Sequence, residues 1–186
     1  MRTMVTSKEE ILASSRQLIC RQGWSAINIR SVANACGVSV GAIYNYFGSK
    51  TELVGATVES IWCDIFCRPD SDDVFASTLT ILTWIYRRME YGARQYPGFF
   101  ALHPIVYLDA EQNDGRQRMQ QSWQHIKDVL CDVMEHDPHI RPDAFTAEFT
   151  MEGFADLLFS LIVSALIRGE YDPSAVLETV RRTLYA

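Results

Sequence analysis

"CGVSVGAIYNYFGSK" occupies residues 36–50. A short apolar approach, Cys36-Gly37-Val38, leads into a helix of about a turn and a half. That helix carries Gly41, then Tyr44, Asn45, Tyr46 and Phe47, and closes at Gly48-Ser49-Lys50. Ser39 is a good N-cap, and Val38 and Ile43 are placed as a hydrophobic staple across it. Ile43 and Phe47 are four apart and so share one face, which reads as core. Tyr44 and Asn45 point away from that face, and Tyr46 lies near its edge. Packing alone gives no reason to put two tyrosines and an amide side by side on so short a helix.

Working outward, each neighbouring helix has its own start signal. Ile11, Leu12, Ser15, Leu18 and Ile19 form an i, i+1, i+4, i+7, i+8 stripe, with Ser7 and Glu10 as a capping box and Gly23 as the stop. Asn28 caps the next helix, with Ile27 and Val32 as its staple. Ser49 and Glu52 form a second capping box that opens a helix running to about Arg68. The link between the second and third helices is only Cys36-Gly37-Val38, and the glycine permits the sharp turn of a helix-turn-helix.

Beyond this head the periodicity stays helical and proline marks the breaks. Helices are predicted near 72–95, 98–107, 110–136, 142–168 and 173–185, with Pro104 kinking one and Asp172-Pro173 placing a capping residue before a proline at N1. Two of them read as apolar nearly all round. One carries Val74, Phe75, Leu79, Ile81, Leu82, Trp84, Ile85, Tyr86 and Met89; the other runs from Phe154 to Ile167. A helix without a polar face must be buried on all sides. One such helix fits the centre of a bundle; the second is more easily buried against another chain. The fold class is all-α, about nine helices in total: an N-terminal three-helix helix-turn-helix domain, 1–53, and a larger helical ligand-binding and dimerisation bundle, 54–186.

A net charge of −6 taken alone argues against a nucleic-acid binder. The average conceals an asymmetry: residues 1–53 carry six basic and three acidic side chains, +3, and the remainder balances at −9. A basic head on an acidic body suggests an anionic partner for the head. Five cysteines with no disulfide-framework spacing and no CxxC read as reduced and intracellular. The N-terminus has no apolar core of a signal peptide, and the most apolar run, 154–167, is too short to span a bilayer. The expectation is a cytoplasmic protein with no membrane association.

In this order the residues "IRSVANACGVSVGAIYNYFGSKTEL", 29–53, resemble the DNA-binding domain of the TetR/AcrR family of bacterial transcriptional regulators. The likeness lies in the second helix, the Gly-Val turn, the Tyr-x-Tyr-Phe recognition helix and the Ser-Lys-x-x-Leu that follows; residues 54–186 match only in layout. The resemblance implies a homodimer whose recognition helices enter successive major grooves of a palindromic operator in double-stranded DNA. It also implies a small-molecule effector, apolar or aromatic, that releases a repressor from that operator. It calls for no cofactor and no metal.

Carried onto this chain, the recognition helix is Val40 to Tyr46. Ser39, Val40, Gly41 and Ala42 are small and let its N-terminus approach a groove, where free N–H groups favour phosphate. The hydroxyls of Tyr44 and Tyr46 are phosphate donors, the Asn45 amide can pair with an adenine edge, Lys50 is a phosphate clamp and Arg30 a phosphate or base contact. Residues 40–46 hold no Arg, Lys or Gln. Direct base readout is therefore thin, with apolar contact to thymine methyl groups and DNA shape contributing.

For the body, Trp62, Phe66, Trp84, Met89, Phe100, Trp123 and Phe154 are candidates for an apolar ligand pocket, and His103, Tyr107 and Glu90 for its polar groups. Phe159, Ile162, Val163, Leu166, Val176, Leu177 and Val180 are candidates for the dimer interface, with Asp156 either pairing with a basic group of the other chain or turned outward. Two other readings stay open: a DNA-binding regulator with no small ligand, and one that senses through the thiols Cys63 and Cys67, four apart on one helix face. An enzyme is the rival from another class. It lacks a Glu-x-x-His pair for a di-metal site, a Gly-rich phosphate loop and a GxSxG.

Overall fold

The computed structural model describes residues 6–66, 69, 71–101 and 113–185, of which 113–122 by backbone alone. The predicted helices beyond residue 101 and before residue 113, with Pro104, fall outside that range. The described residues contain eight α-helices, a helical turn at 99–101 and no strand. The chain divides into two compact units. The first is Met1–Arg68 with Tyr91–Glu111, the second Pro69–Glu90 with Gln112–Ala186.

In the first unit α1 is Lys8–Gln22, α2 Ile29–Cys36, α3 Val40–Tyr44 and α4 Lys50–Phe66, with a 3-10 turn at Trp24–Ala26. The helix starts follow from the caps. Ser7 Oγ accepts the Glu10 N–H at 3.1 Å while Glu10 accepts the Ser7 N–H at 2.9 Å. Asn28 Oδ1 accepts from Ser31 N–H at 3.0 Å, and Ser39 Oγ from Ala42 N–H at 3.2 Å. At Ser49 the expected box is half formed. Ser49 Oγ accepts the Glu52 N–H, but the Glu52 carboxylate takes the N–H of Gly48, one residue further back, at 2.7 Å. Gly23 ends α1 at φ +78°, its N–H on the Ile19 carbonyl. Ile11, Ile19, Val32, Ile43, Phe47, Leu53, Ile61 and Ile65 close the core.

The second unit contains a 3-10 turn at Asp72–Phe75, α6 Asn113–His136, α7 Met151–Arg168, α8 Ser174–Leu184 and most of α5, Thr78–Gln95, whose last turn belongs to the first unit. α5 starts six residues later than the apolar pattern predicts. Ser77 and Thr80 cap each other reciprocally, at 3.0 and 3.2 Å, and the Thr78 N–H is taken by the carboxylate of Asp137. Val74 and Phe75 therefore stay in the preceding turn. α7 begins at Met151, not at 142. Thr146 and Phe149 bond to each other's backbone instead of continuing a helix, Phe149 rests on Phe154 with centroids 5.3 Å apart, and Thr150 supplies the cap. α8 opens at Ser174 with Pro173 as the cap residue; Asp172 accepts the Ser174 N–H and hydroxyl.

Neither long helix is buried all round. Thr80 and Arg87 of α5 are exposed, and on α7 so are Leu157 at 48% and Ile167 at 77%. Asp156 of α7 is exposed and pairs with Lys127 of α6 at 3.1 Å, so its partner lies in its own chain. No described helix is long and apolar enough to cross a membrane.

Candidate nucleic-acid interface

The turn between α2 and α3 depends on Gly37, whose φ of +68° is a left-handed conformation that costs other residues about 1–2 kcal/mol. Through it the chain leaves α2 and re-enters helix at Ser39 within three residues. Ile43 and Phe47 are fully buried, and that seat turns the opposite face of α3 outward. On that face Val40 is 40% exposed and Tyr44 48%, with Gly41 and Asn45 also exposed and Ala42 half-buried.

The flanking polar groups are largely committed within the fold. Ser39 is exposed, but its hydroxyl oxygen holds the Ala42 N–H. The Tyr46 hydroxyl donates to the backbone carbonyl of Thr6, which ties the exit of α3 to the entrance of α1. Lys8 sits with Nζ 5.3 Å from the centroid of the Phe47 ring, a second tie between the same two places. Arg30, in the first turn of α2, and Lys50, the first residue of α4, are both exposed. Between them residues 31–49 carry no charged side chain. An uncharged, partly apolar ridge thus has an exposed cation at each of its borders in the sequence.

A further set of residues, which the sequence reading did not single out, fastens the segment 91–101 to α1 and α4. The Tyr96 hydroxyl donates to Asp64 at 2.7 Å and that of Tyr91 at 3.3 Å. Burial and the neighbouring Asp64 carboxylate push the Tyr96 phenol far above its ordinary range, so its proton stays on. The Trp24 N–H bonds the Pro97 carbonyl, and Gln95 reaches the Cys20 thiol at 3.4 Å. Gly92 lets the helix come this close, because a Cβ there would stand 2.6 Å from Ile65 Cδ1. These partners lie 27 to 75 residues apart in the chain, and no local pattern announces them.

The pocket candidates are distributed over both units, with the half-buried Glu90 in the second. Trp62, Phe66 and Phe100 belong to the first, where Trp62 packs against both phenylalanines and against Phe99 at 5.4–5.6 Å between centroids. Trp84, Met89, Trp123 and Phe154 belong to the second; Met89 and Phe154 are buried, and Trp123 leans on Phe159 while 41% exposed. His103 and Tyr107 lie outside the described residues, as does Cys67; Cys63 is a free, exposed thiol. A shallow polar groove of about 460 Å³ runs between α1 and α2, bordered by Gln17, Arg21, Ser31 and Asn34. Among the dimer candidates Ile162 and Val180 are buried within the chain, whereas Phe159, Val163, Leu166, Val176 and Leu177 are half-buried.

Residues 11–57 match the sequence profile of the bacterial regulatory proteins of the tetR family. The HTH-type transcriptional regulator YerO of Bacillus subtilis, uncharacterized, is 38% identical over 56 residues, 30% of this chain and 19% of that protein. The chain thus spans about a fifth of the length of that relative. A second uncharacterized HTH-type regulator, from the lacX 3' region of Lactococcus lactis, is 25% identical over 135 residues, 68% of this chain and 67% of its own. Among solved structures, a transcriptional regulator of Rhodococcus superposes with a TM-score of 0.65 at 19% identity, covering 96% of this chain and 91% of its own. NalD of Pseudomonas aeruginosa, the secondary repressor of the MexAB-OprM multidrug efflux pump, gives 0.57 at 17% identity over 94% and 95%. The structural likenesses establish the fold, and the profile falls on the helices that carry the exposed ridge of α3. The profile thus matches residues 11–57 to the tetR family of bacterial regulatory proteins, and the chain shares the fold of the solved regulators.

Proposed function

We propose that this regulator is a cytoplasmic homodimer that represses transcription from a palindromic operator and is released by a small apolar or aromatic effector. The observation that carries the reading is the outward face of α3, seated by the buried Ile43 and Phe47 and flanked by the exposed Arg30 and Lys50. Phosphates are met by the two cations and the Tyr44 hydroxyl, and base edges by Val40, Ala42, Asn45 and the ring of Tyr44. The likeness in fold to NalD, itself a repressor, supports repression.

Dimerisation is supported by the outer side of α7. Gly153, Leu157, Ser160, Ser164 and Ile167 recur at alternating spacings of four and three, a stripe suited to a facing helix, and all but the half-buried Ser164 are exposed. Ile162 and Val180 are already buried in the single chain and stand behind that contact; Phe159, Val163, Leu166, Val176 and Leu177 border it. The effector reading draws on the aromatic and methionine content of the body, Trp84, Met89, Trp123 and Phe154 among it.

The test is selection of the purified protein against a random duplex DNA pool at near-physiological salt, followed by size analysis of the complex. An inverted repeat bound by two copies is the expected result. A single half-site bound by one copy would refute the dimeric reading. Release of the bound duplex by members of a panel of apolar and aromatic compounds is the expected effector result, and its absence across a broad panel would refute that part.

A further inference from the structure

We propose that Val40 and Tyr44 act as a methyl reader, recognising the 5-methyl groups of thymines in a T-rich half-site. The inference rests on the DNA-regulator reading and names what that surface selects. The two side chains are one helical turn apart on the same side of α3, about 5–6 Å between Cβ atoms. They are also among the most exposed large apolar residues of the first unit, at 40% and 48%. In the major groove the thymine methyl is the only apolar group a base edge presents. The polar alternatives are few. No Arg, Lys, Gln, Asp or Glu lies in residues 31–49, the Ser39 hydroxyl oxygen already accepts the Ala42 N–H and keeps a single O–H to donate, and the Tyr46 proton is on the Thr6 carbonyl. A bidentate guanine contact has no donor on this helix. Asn45 remains for one adenine edge.

Gly41 supplies an independent observation. Its φ is not positive, and a Cβ added there would meet nothing nearer than Ser39 Oγ at 3.8 Å, an ordinary contact. The fold therefore has no need of glycine at this position, and glycine weakens a helix relative to alanine. What the missing side chain provides is close approach from outside, directly beside Val40. An apolar ridge with an open backbone next to it fits a base edge pressed against the helix.

The experiment uses duplexes recovered by the full-length protein from a random pool, rebuilt with deoxyuridine in place of single thymidines. Each contacted methyl removed should weaken binding about fourfold, the worth of one buried methyl-sized group, and about fifteenfold when both half-sites of a repeat are altered. Because the ridge does not read O4 against N4, 5-methylcytosine at the same position should bind better than cytosine. Val40→Ala should remove the sensitivity to uracil at one position while leaving the others. Gly41→Ala should raise thermal stability and yet weaken binding. Equal affinity for thymine and uracil duplexes with sequence preference retained would overturn the inference alone. Failure to enrich any sequence would instead overturn the DNA-reading assignment beneath it, and the inference with it.

Discussion

Asp137 is the residue on which the second unit should be most sensitive to a single change. It is 5% exposed in the turn after α6, and its carboxylate is surrounded by donors. Oδ2 accepts the Thr78 N–H at 2.8 Å, the Thr78 hydroxyl at 2.9 Å and the Tyr185 hydroxyl; Oδ1 accepts the His139 N–H at 3.1 Å and faces its Nδ1 at 3.2 Å. Burial pushes its pKa up, but the hydrogen bonds from Tyr185, Thr78 and His139 outweigh burial and hold it below the ordinary carboxylate range. In Asp137→Ala, Thr78 keeps two donors in a place fully closed to water, while Tyr185 and His139 can turn to solvent. Two orphaned buried donors at about 1–3 kcal/mol each predict a loss of about 3–5 kcal/mol. For a chain of this size that is a fall of roughly 10 °C in Tm. Asp137→Asn keeps the shape but turns an amide NH2 toward donors, and should cost about 2–3 kcal/mol. Since the folded pKa is depressed, the stabilisation is present above the unfolded value near pH ~3.9 and is lost as pH falls through the folded pKa. Urea unfolding followed by circular dichroism should therefore show wild type and Asp137→Asn separated by a constant gap from about pH 5 to 8 and converging below about pH 4. An Asn variant within about 0.5 kcal/mol of wild type at neutral pH would refute the reasoning.

Four further predictions concern the surfaces. Tyr44→Ala should weaken operator binding by about 1–3 kcal/mol in a titration by fluorescence anisotropy, with the oligomer unchanged by light scattering; unaltered affinity would move the contact face elsewhere. Lys50→Gln should flatten the plot of log binding constant against log salt by about 0.9 for each phosphate left without its cation, and an unchanged slope would release Lys50 from that role. Tyr46→Phe should destabilise the head by about 1 kcal/mol through loss of its bond to Thr6, yet leave affinity nearly unaltered where the protein is folded; a large affinity loss without destabilisation would make it a phosphate donor after all. Leu157→Asp combined with Ile167→Asp should give a monomer with unchanged helicity, because both side chains point away from the chain's own core. A dimer persisting at micromolar concentration would place the interface on another face.

The head was legible in the sequence because its signals are short-range. Ser7, Asn28 and Ser39 are within three residues of the N–H groups they cap, and Gly37 acts on its own φ. The body was less so. The start of α5 is set by a carboxylate 59 residues away, and no window around Thr78 contains it. The same holds for 142–150, where the pattern predicts a helix from about 142 but the Thr146 and Phe149 bonds hold a turn and the helix waits for Thr150. The extended apolar runs misled in one further way. Leu157 and Ile167 count as core by composition, yet their angular position on α7 turns them outward, away from Phe154, Leu158 and Ile162.

Tyr46 shows how far a motif can carry a residue's role. Read beside Tyr44, it invites the same function, since both present a phenol on one short segment. The fold separates them. Tyr44 follows Val40 by one turn on the outward side of α3, whereas Tyr46 falls past the end of the helix, where its hydroxyl meets the Thr6 carbonyl and its neighbour Phe47 meets Lys8. One tyrosine is then available to a partner, and the other fixes the angle at which the helix leaves the head. A reader of few polar contacts depends on that angle more than a reader rich in long, adaptable cationic side chains would. Val40 and Tyr44 offer contacts that fall away within about an ångström of separation. An apolar reading ridge and a recognition helix tied at its exit are therefore two parts of one requirement.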